Sequence, residues 1–244
     1  MAHTKRVRWA REEAIAALSL YCRIPFGQMH SRNPVVRSLA AQLGRTPGSV
    51  ALKLVNFASL DPEHKARGIH GMGNTSSLDK AIWVEFFGNW HTLAEYDIAG
   101  DVEQPKEPSA SESVATVRVR RGQQYFRRMV LAAYSQRCCV TGIATPELLR
   151  ASHIIPWAAN KTTRLDPHNG LALNSLHDAA FDRGLIAFDD DGTMLISRRL
   201  AKETPSREYR DFFDRYRSVR IHLPERFKPD AEMLAFHRKN VFAA

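Results

Sequence analysis

The stretch between residues 148 and 196 constrains the fold most, because short apolar segments in it alternate with strong turn signals. Residues 148–157 read LLRASHIIPW, a short apolar segment that ends at a proline and is typical of a strand. A second strand is predicted at 169–174, NGLALN, and a short helix ending at a glycine at 175–184, SLHDAAFDRG. Residues 184–197 then predict two strands around an Asp-Gly turn. The order strand, loop, strand, helix, hairpin indicates a small α+β unit.

Three polar residues stand out in this unit. His153 lies near the end of the first strand, Asn169 at the start of the second, and His177 on the helix. A neutral imidazole can take a proton from water near pH 7, and an amide can orient a base or a loop. A second histidine can hold a divalent metal, which stabilises charge on a phosphate. The alternative reading of either histidine alone is a core residue with a satisfied hydrogen bond.

Several dispersed blocks surround these residues. They read RRGQQYFRRMVL, ASHIIPW, RLDPHNGLAL, LHDAAFDRGLIAFDDDG and LPERFKPDAEMLAFHRKNVF. In this order they resemble the HNH endonucleases of the ββα-metal fold, and in particular a restriction-type branch, over residues 118–240. The resemblance implies that His153 is the general base, Asn169 the orienting residue and His177 a metal ligand. It also implies DNA as the usual substrate and one divalent cation, Mg²⁺ or Mn²⁺ before other transition metals, as the cofactor.

The chain departs from this family at two places. Many HNH enzymes carry an aspartate immediately before the first histidine, whereas this chain has Ser152. The second protein ligand of the metal therefore stays open, with Asp178 and Asp182 as candidates on the helix. Many relatives also carry two C-x-x-C pairs, and here only the adjacent Cys138 and Cys139 occupy that region. We therefore expect no structural zinc.

Composition points to the partner. The 244 residues include 35 Lys and Arg against 26 Asp and Glu, which gives a net charge of +9. An excess of this size favours nucleic acid as the partner, with an anionic membrane surface as the second reading. No run of about 18 apolar residues is present to span a bilayer. Three cysteines without a disulfide framework predict a reduced, cytoplasmic protein.

Two helices near the amino terminus suggest a DNA reader. Residues 33–44 predict a helix capped by an asparagine, followed by a proline and ended by a glycine. A second helix is predicted at 46–58 after a tight turn, with Ser49, Lys53 and Asn56 on one polar face. This pattern is typical of a helix-turn-helix, although an ordinary helical hairpin with a solvated face is the commoner structure.

A second set of basic residues precedes the nuclease-like blocks. Arg118, Arg120 and Arg121 come just before a helix predicted at 123–135. Such a charge run is usually a solvated face. Its closeness in sequence to the histidine segment favours contacts with phosphates.

The composition changes once along the chain. Residues 98–116 are rich in Glu, Pro, Ser and Ala and lack apolar periodicity, which is typical of a linker. The sequence thus predicts an α+β protein with an all-helical, helix-turn-helix-like domain at 1–97 and a ββα-metal HNH nuclease domain at 117–244. The glycine-rich loop at 67–77 is a candidate wing of the first domain.

Three functions are compatible with these features. The first is a metal-dependent endonuclease acting on double-stranded DNA, as a restriction enzyme that senses sequence or base modification. The second is a DNA-binding regulator with an inactive HNH-like domain, and the third is a nonspecific or RNA-directed nuclease. Double-strand cleavage calls for two active sites, which a homodimer would supply, although no seam in the sequence predicts one.

Overall fold

The computed structural model describes residues 8–68, 75–98, 114–202 and 206–243. The chain forms two compact units that divide between Tyr125 and Phe126, and each unit is described by itself. The predicted linker and the candidate wing fall mainly on 99–113 and 69–74, which lie outside the described residues. The proposed domain boundaries therefore stay predictions.

The first unit is helical and is built around one buried helix. Its helices are α1 (Arg11–Arg23), α2 (Pro34–Gln42), α3 (Pro47–Ala58), α4 (Pro62–Ala66), α5 (Ser77–Phe86), α6 (Trp90–Glu95) and the first part of α7 (Val114–Ala133). Every residue of α1 from Ala14 to Arg23 is buried, and α1 contacts α3, α5 and α6. A helix that is largely apolar around its circumference, as AIAALSLYC is, belongs in the middle of such a unit.

The predicted pair α2 and α3 is confirmed, together with its caps. The Asn33 side chain accepts a hydrogen bond from the Val35 amide at 2.8 Å, and Thr46 accepts one from the Ser49 amide at 3.2 Å. Prolines occupy the first turn of both helices, where an amide hydrogen has no partner to lose. Gly44 adopts a φ of 62°, which ends α2 and allows the chain to turn into α3.

The second unit has the predicted order of strand, loop, strand, helix and hairpin. Its elements are the end of α7, β1 (Leu149–His153), β2 (Gly170–Asn174), α8 (Ser175–Asp182), β3 (Ile186–Phe188), β4 (Met194–Ile196), α9 (Arg198–Lys202), α10 (Arg207–Phe212) and α11 (Ala231–Asn240). β1 and β2 pair antiparallel with His153 opposite Gly170, and β3 and β4 form a second antiparallel pair. α8 packs on β1, β2 and β3, which places its buried face over both strand pairs.

Helix α7 differs from its predicted extent. It begins at Val114, whereas the sequence predicted a start at Gln123. The exposed arginines between these positions are good helix formers, so the helix continues through residues that have no apolar stripe. It ends where Ser135 and Gln136 adopt φ values of 52° and 58°. Within the described part of the chain, neither α7 nor any other helix combines the length and apolar character needed to span a bilayer.

A buried histidine lies in the core of the second unit. The ring of His237 on α11 stacks on Phe181 of α8 at 3.7 Å between centroids and 2° between planes. Its Nε2 lies 3.1 Å from the Phe181 carbonyl oxygen and donates to it, while Nδ1 has no hydrogen-bond partner among the described residues. Burial lowers the pKa of His237 to about 4. The fold therefore holds this histidine neutral at pH 7.

This histidine should make the protein sensitive to acid. Because the pKa of His237 is lower in the folded chain than the usual histidine pKa of about 6.5, the unfolded chain binds the proton more tightly. The free energy of unfolding should fall as the pH drops from 6.5 toward 4, by about 3 kcal/mol from this group. Urea unfolding at a series of pH values measures the effect.

The control is His237→Gln, which keeps an N–H donor but does not titrate. His153 and His177 also have lowered pKa values and act in the same direction, so the difference between the two proteins isolates His237. An equal loss of stability with pH in both proteins would contradict the assignment.

Candidate active site

The pairing of β1 with β2 brings His153 and Asn169 together. His153 is the last residue of β1 and lies opposite Gly170, the first residue of β2. Asn169 closes a short 3₁₀ turn directly before β2, and its carbonyl oxygen accepts a hydrogen bond from the Ile154 amide at 2.9 Å. Loop 154–168 connects the two strands. The two residues therefore flank this loop, one on each side.

One hydrogen bond assigns the tautomer of His153. Its Nε2 lies 2.9 Å from the Arg164 carbonyl oxygen, which can only accept, so Nε2 carries the hydrogen. In the neutral ring the lone pair is then on Nδ1. Burial is the largest influence on the pKa of His153 and lowers it, while the Arg164 carbonyl and the Asp178 charge act in the opposite direction. At neutral pH the ring is thus a neutral imidazole that can accept a proton on Nδ1.

Asn169 holds the loop that supplies this carbonyl. Its side chain is fully buried, and its Oδ1 accepts from the Ile155 amide at 2.7 Å. Its Nδ2 donates to the carbonyl oxygens of Ile155 at 3.2 Å and Thr163 at 3.1 Å. Since Thr163 directly precedes Arg164, these bonds fix the carbonyl that orients His153. Asn169 therefore acts on the base through the backbone.

His177 lies in a different environment. It is fully buried in the first turn of α8, with Nε2 2.9 Å from the Phe212 carbonyl oxygen and Nδ1 3.1 Å from Asn174 Oδ1. That Oδ1 already accepts the amides of Leu176 and His177, so we assign the ring hydrogen to Nε2. The rings of Phe213 and Tyr216 flank the imidazole.

This arrangement would have to open before His177 could bind a metal. Both ring nitrogens of His177 face oxygen atoms, and binding an ion through Nε2 would require the bond to Phe212 to break. Burial lowers the pKa of His177, which keeps the ring neutral. In the chain as far as the structure describes it, no three His, Cys, Asp or Glu residues are placed to hold a metal together.

The position that departs from the HNH pattern contacts a carboxylate. The Ser152 hydroxyl donates to Asp178 Oδ1 at 2.5 Å, so a carboxylate from α8 reaches the strand position that carries serine. Asp182 lies one turn further along α8. Burial raises the pKa of Asp182, and the charge of Asp178 raises it further. Two carboxylates that repel one another in this way are suitable donors for a hard cation.

The comparison with known families agrees with this geometry. A family model described as HNH endonuclease matches residues 138–189. This part of the chain belongs to the HNH endonuclease family. The matched residues include His153, Asn169 and His177 and extend from the end of α7 to the β3–β4 hairpin. No curated protein matches the chain with significance.

The predicted polar face of α3 belongs to the first unit, and two of its three side chains make polar contacts with other residues of that unit. Lys53 is 5% exposed and forms an ion pair with the buried Asp79 of α5, and the Trp9 ring also contacts its ammonium. Asn56 donates to the same aspartate at 3.3 Å. Ser49 is half-buried in the first turn of α3. A phosphate contact by Lys53 would require this ion pair to open.

The three arginines on α7 are exposed. Arg118 lies 3.6 Å from Glu95 in an ion pair open to solvent, and Arg120 and Arg121 are exposed beside it on the same helix. Exposed ion pairs contribute little to stability, so Arg118 remains available to an anionic partner. Their role as phosphate contacts stays a prediction.

The second unit contains three site residues that the sequence did not reveal. Arg164 acts on His153 through its carbonyl, while its side chain lies over Trp157 and donates to the Trp157 carbonyl at 2.8 Å. Trp157 presents its ring to the edge of His153, and Phe126 stacks on the face. Phe126 lies within the helix that the sequence predicts at 123–135. No local pattern in the sequence links it to His153.

We expect His177→Ala to destabilise the second unit. The change leaves the buried Phe212 carbonyl without its donor, which costs about 1–3 kcal/mol. Urea unfolding at pH 7.5 measures the loss, and His222→Ala, which removes an exposed imidazole from the same unit, is the matched control. Unchanged stability together with weakened divalent-metal binding by calorimetry would contradict the packing role and support ligation.

Proposed function

We propose that this protein is a divalent-metal-dependent endonuclease that hydrolyses phosphodiester bonds in double-stranded DNA. Membership of the HNH family indicates nuclease activity on nucleic acid. The observation that carries the proposal is the state of His153, whose Nε2 is bonded to the Arg164 carbonyl and whose Nδ1 lone pair is left to act as a base. A core histidine that only satisfied a hydrogen bond would need no loop held in place by a buried asparagine.

The proposed reaction assigns one task to each residue. His153 Nδ1 takes a proton from water, the water oxygen attacks phosphorus, and the bond to the leaving oxygen breaks. Arg164 keeps Nε2 protonated, so that Nδ1 remains the basic nitrogen. Asn169 holds loop 154–168 closed and thereby keeps the Arg164 carbonyl in place. Asn169 is therefore a positioning residue.

Metal dependence is the second part of the proposal. Mg²⁺ and Mn²⁺ prefer oxygen donors, and Asp178 with Asp182 would hold such an ion beside the strand that carries His153. The chemistry expected of the ion is charge stabilisation at the scissile phosphate and the leaving oxygen. His177 would join them only after releasing the Phe212 carbonyl.

A restriction role, with recognition by the helical unit, is the third part. The support is the presence of a separate helical unit with the α2–turn–α3 arrangement on the same chain as the HNH domain, together with the net charge of +9. Ser49 is the residue to change when base reading is tested. Lys53→Ala would leave Asp79 buried without its cation, a change that typically costs 3–5 kcal/mol and would confound binding data.

The catalytic test compares two histidines of the second unit. His153→Ala should slow single-turnover cleavage of plasmid DNA with Mg²⁺ or Mn²⁺ by about 10²–10⁴-fold, because the general base is lost. The exposed His222→Ala is the control and should cleave at the native rate. In the native protein the acid limb of the pH–rate profile should lie below pH 6.5, because burial lowers the pKa of His153.

Other outcomes of this experiment separate the alternatives. Native-rate cleavage by His153→Ala would overturn the mechanism, and native protein that binds DNA but never cleaves it would indicate an inactive regulator. Cleavage of RNA in preference to DNA, or a smear in place of discrete bands, would indicate the nonspecific or RNA-directed nuclease. Methylated and unmethylated plasmids together test modification sensing.

Arg121→Gln tests the basic face of α7. If Arg121 contacts a phosphate, the change should weaken DNA binding and reduce the slope of log affinity against log salt by about 0.9. Fluorescence anisotropy over a series of salt concentrations measures both. Lys239→Gln removes one exposed positive charge from α11 and is the matched control. An equal effect of the two changes would mean that Arg121 contributes only net charge.

A further inference from the structure

The face of the His153 ring is covered by an aromatic residue that the reaction scheme does not use. Phe126 on α7 is 1% exposed, and its ring lies 4.0 Å from the imidazole, centroid to centroid, at 9° between planes. Trp157 meets the same imidazole at 5.5 Å and 81°, with its ring roughly perpendicular. The imidazole is therefore enclosed on one face by Phe126 and on another side by Trp157.

A single hydrogen bond leaves the direction of Nδ1 incompletely defined. The bond from Nε2 to the Arg164 carbonyl fixes one end of the ring, but the second side-chain torsion of histidine is broad and allows the plane to rotate. A parallel ring at van der Waals distance prevents that rotation, because any tilt of the imidazole would drive it into Phe126. The hydrogen bond and the stack together define both the position and the plane of the base.

Phe126 reaches this place because β2 begins with glycine. A Cβ atom on Gly170 would lie 3.1 Å from Phe126 Cζ and 2.3 Å from Val130 Cγ2. Because Gly170, opposite His153, has no side chain, residues of α7 occupy the space where one would lie. Arg127 anchors the same turn of α7 to the start of β1 by donating to the Leu149 carbonyl at 2.8 Å.

We propose that Phe126 is a positioning residue for His153, which holds the imidazole plane so that Nδ1 points to the attacking water. This inference rests on the proposed nuclease function. It adds a residue that lies upstream of the segment matched by the family model, which begins at residue 138. Phe126 packs on the base and contributes no group to the reaction.

Removing the ring should change the rate and its pH dependence without changing DNA affinity. In Phe126→Leu we expect single-turnover cleavage at saturating DNA to slow by about ten- to a hundredfold, because the base is no longer held in line. Water would also reach the imidazole, so the pKa of His153 should rise toward its usual value and the acid limb should move to higher pH. Asp178 on α8 and the Arg164 carbonyl still act on His153 in this variant.

The structure provides a matched control. Phe181 stacks on His237 in nearly the same geometry, at 3.7 Å and 2°. Phe181→Leu should therefore lower stability in a similar way while leaving the cleavage rate and its pH profile unchanged. Phe126→Tyr keeps a ring on the imidazole and should retain most of the rate. Phe126→Met, which fills the space without a flat face, replaces Phe126→Leu if that variant does not fold.

Two measurements decide the outcome independently. The first is the pH–rate profile of single-turnover plasmid cleavage, with DNA affinity measured by anisotropy without metal. The second is the NMR titration of the His153 Cε1 proton in DNA-free protein, which needs no activity. Native rate and native His153 titration in folded Phe126→Leu would overturn the inference. A native protein that cleaves no nucleic acid would instead overturn the proposed function, while the NMR titration would still test the stack.

Discussion

The side chain of Asn169 is the constraint on which the second unit depends most. Its amide is buried and makes three hydrogen bonds to the backbone of loop 154–168, two to Ile155 near the start of the loop and one to Thr163. Without them the buried amide and carbonyl of Ile155 would lack these partners, which a protein interior tolerates poorly. Because the loop is closed there, the Arg164 carbonyl lies where it can fix the ring of His153. A polar core residue thereby determines the protonation pattern of its neighbour.

Burial and hydrogen bonding give His153 and His177 different properties. The pKa of each is lowered by burial. His153 is half-buried, and among the described residues only its Nε2 has a hydrogen-bond partner, whereas His177 is enclosed by Asn174, Phe212 and two aromatic rings. The family resemblance implied a general base at His153 and a metal ligand at His177. This difference underlies the base proposed at His153, and ligation by His177 stays a prediction that requires the bond to the Phe212 carbonyl to open.

Much of this architecture was predictable from local patterns, because the strands, α8 and the caps such as Asn33 depend on residues close in sequence. The environment of the polar face of α3 was not predictable in this way. A helical wheel shows the residues of a single helix, whereas the ion pair of Lys53 is with a buried aspartate of another helix, α5. The role of Arg164 could not be predicted for another reason. It contacts His153 through its backbone carbonyl, which every residue has, so the residue type does not indicate the contact. Phe126 and His153 lie far apart in sequence, so only the fold shows their stack.

Gly170 has a consequence for how relatives of this chain should be judged. Gly170 contributes no chemical group to the site, yet a Cβ atom at this position would collide with Val130 and Phe126 of α7. A chain could therefore keep His153, Asn169 and His177 and still be a poor catalyst, because alanine at this one position would push α7 away and tilt the imidazole. Inspecting only the chemical groups would classify such a chain as active. The empty volume beside the base is as much a part of the active site as the atoms that react.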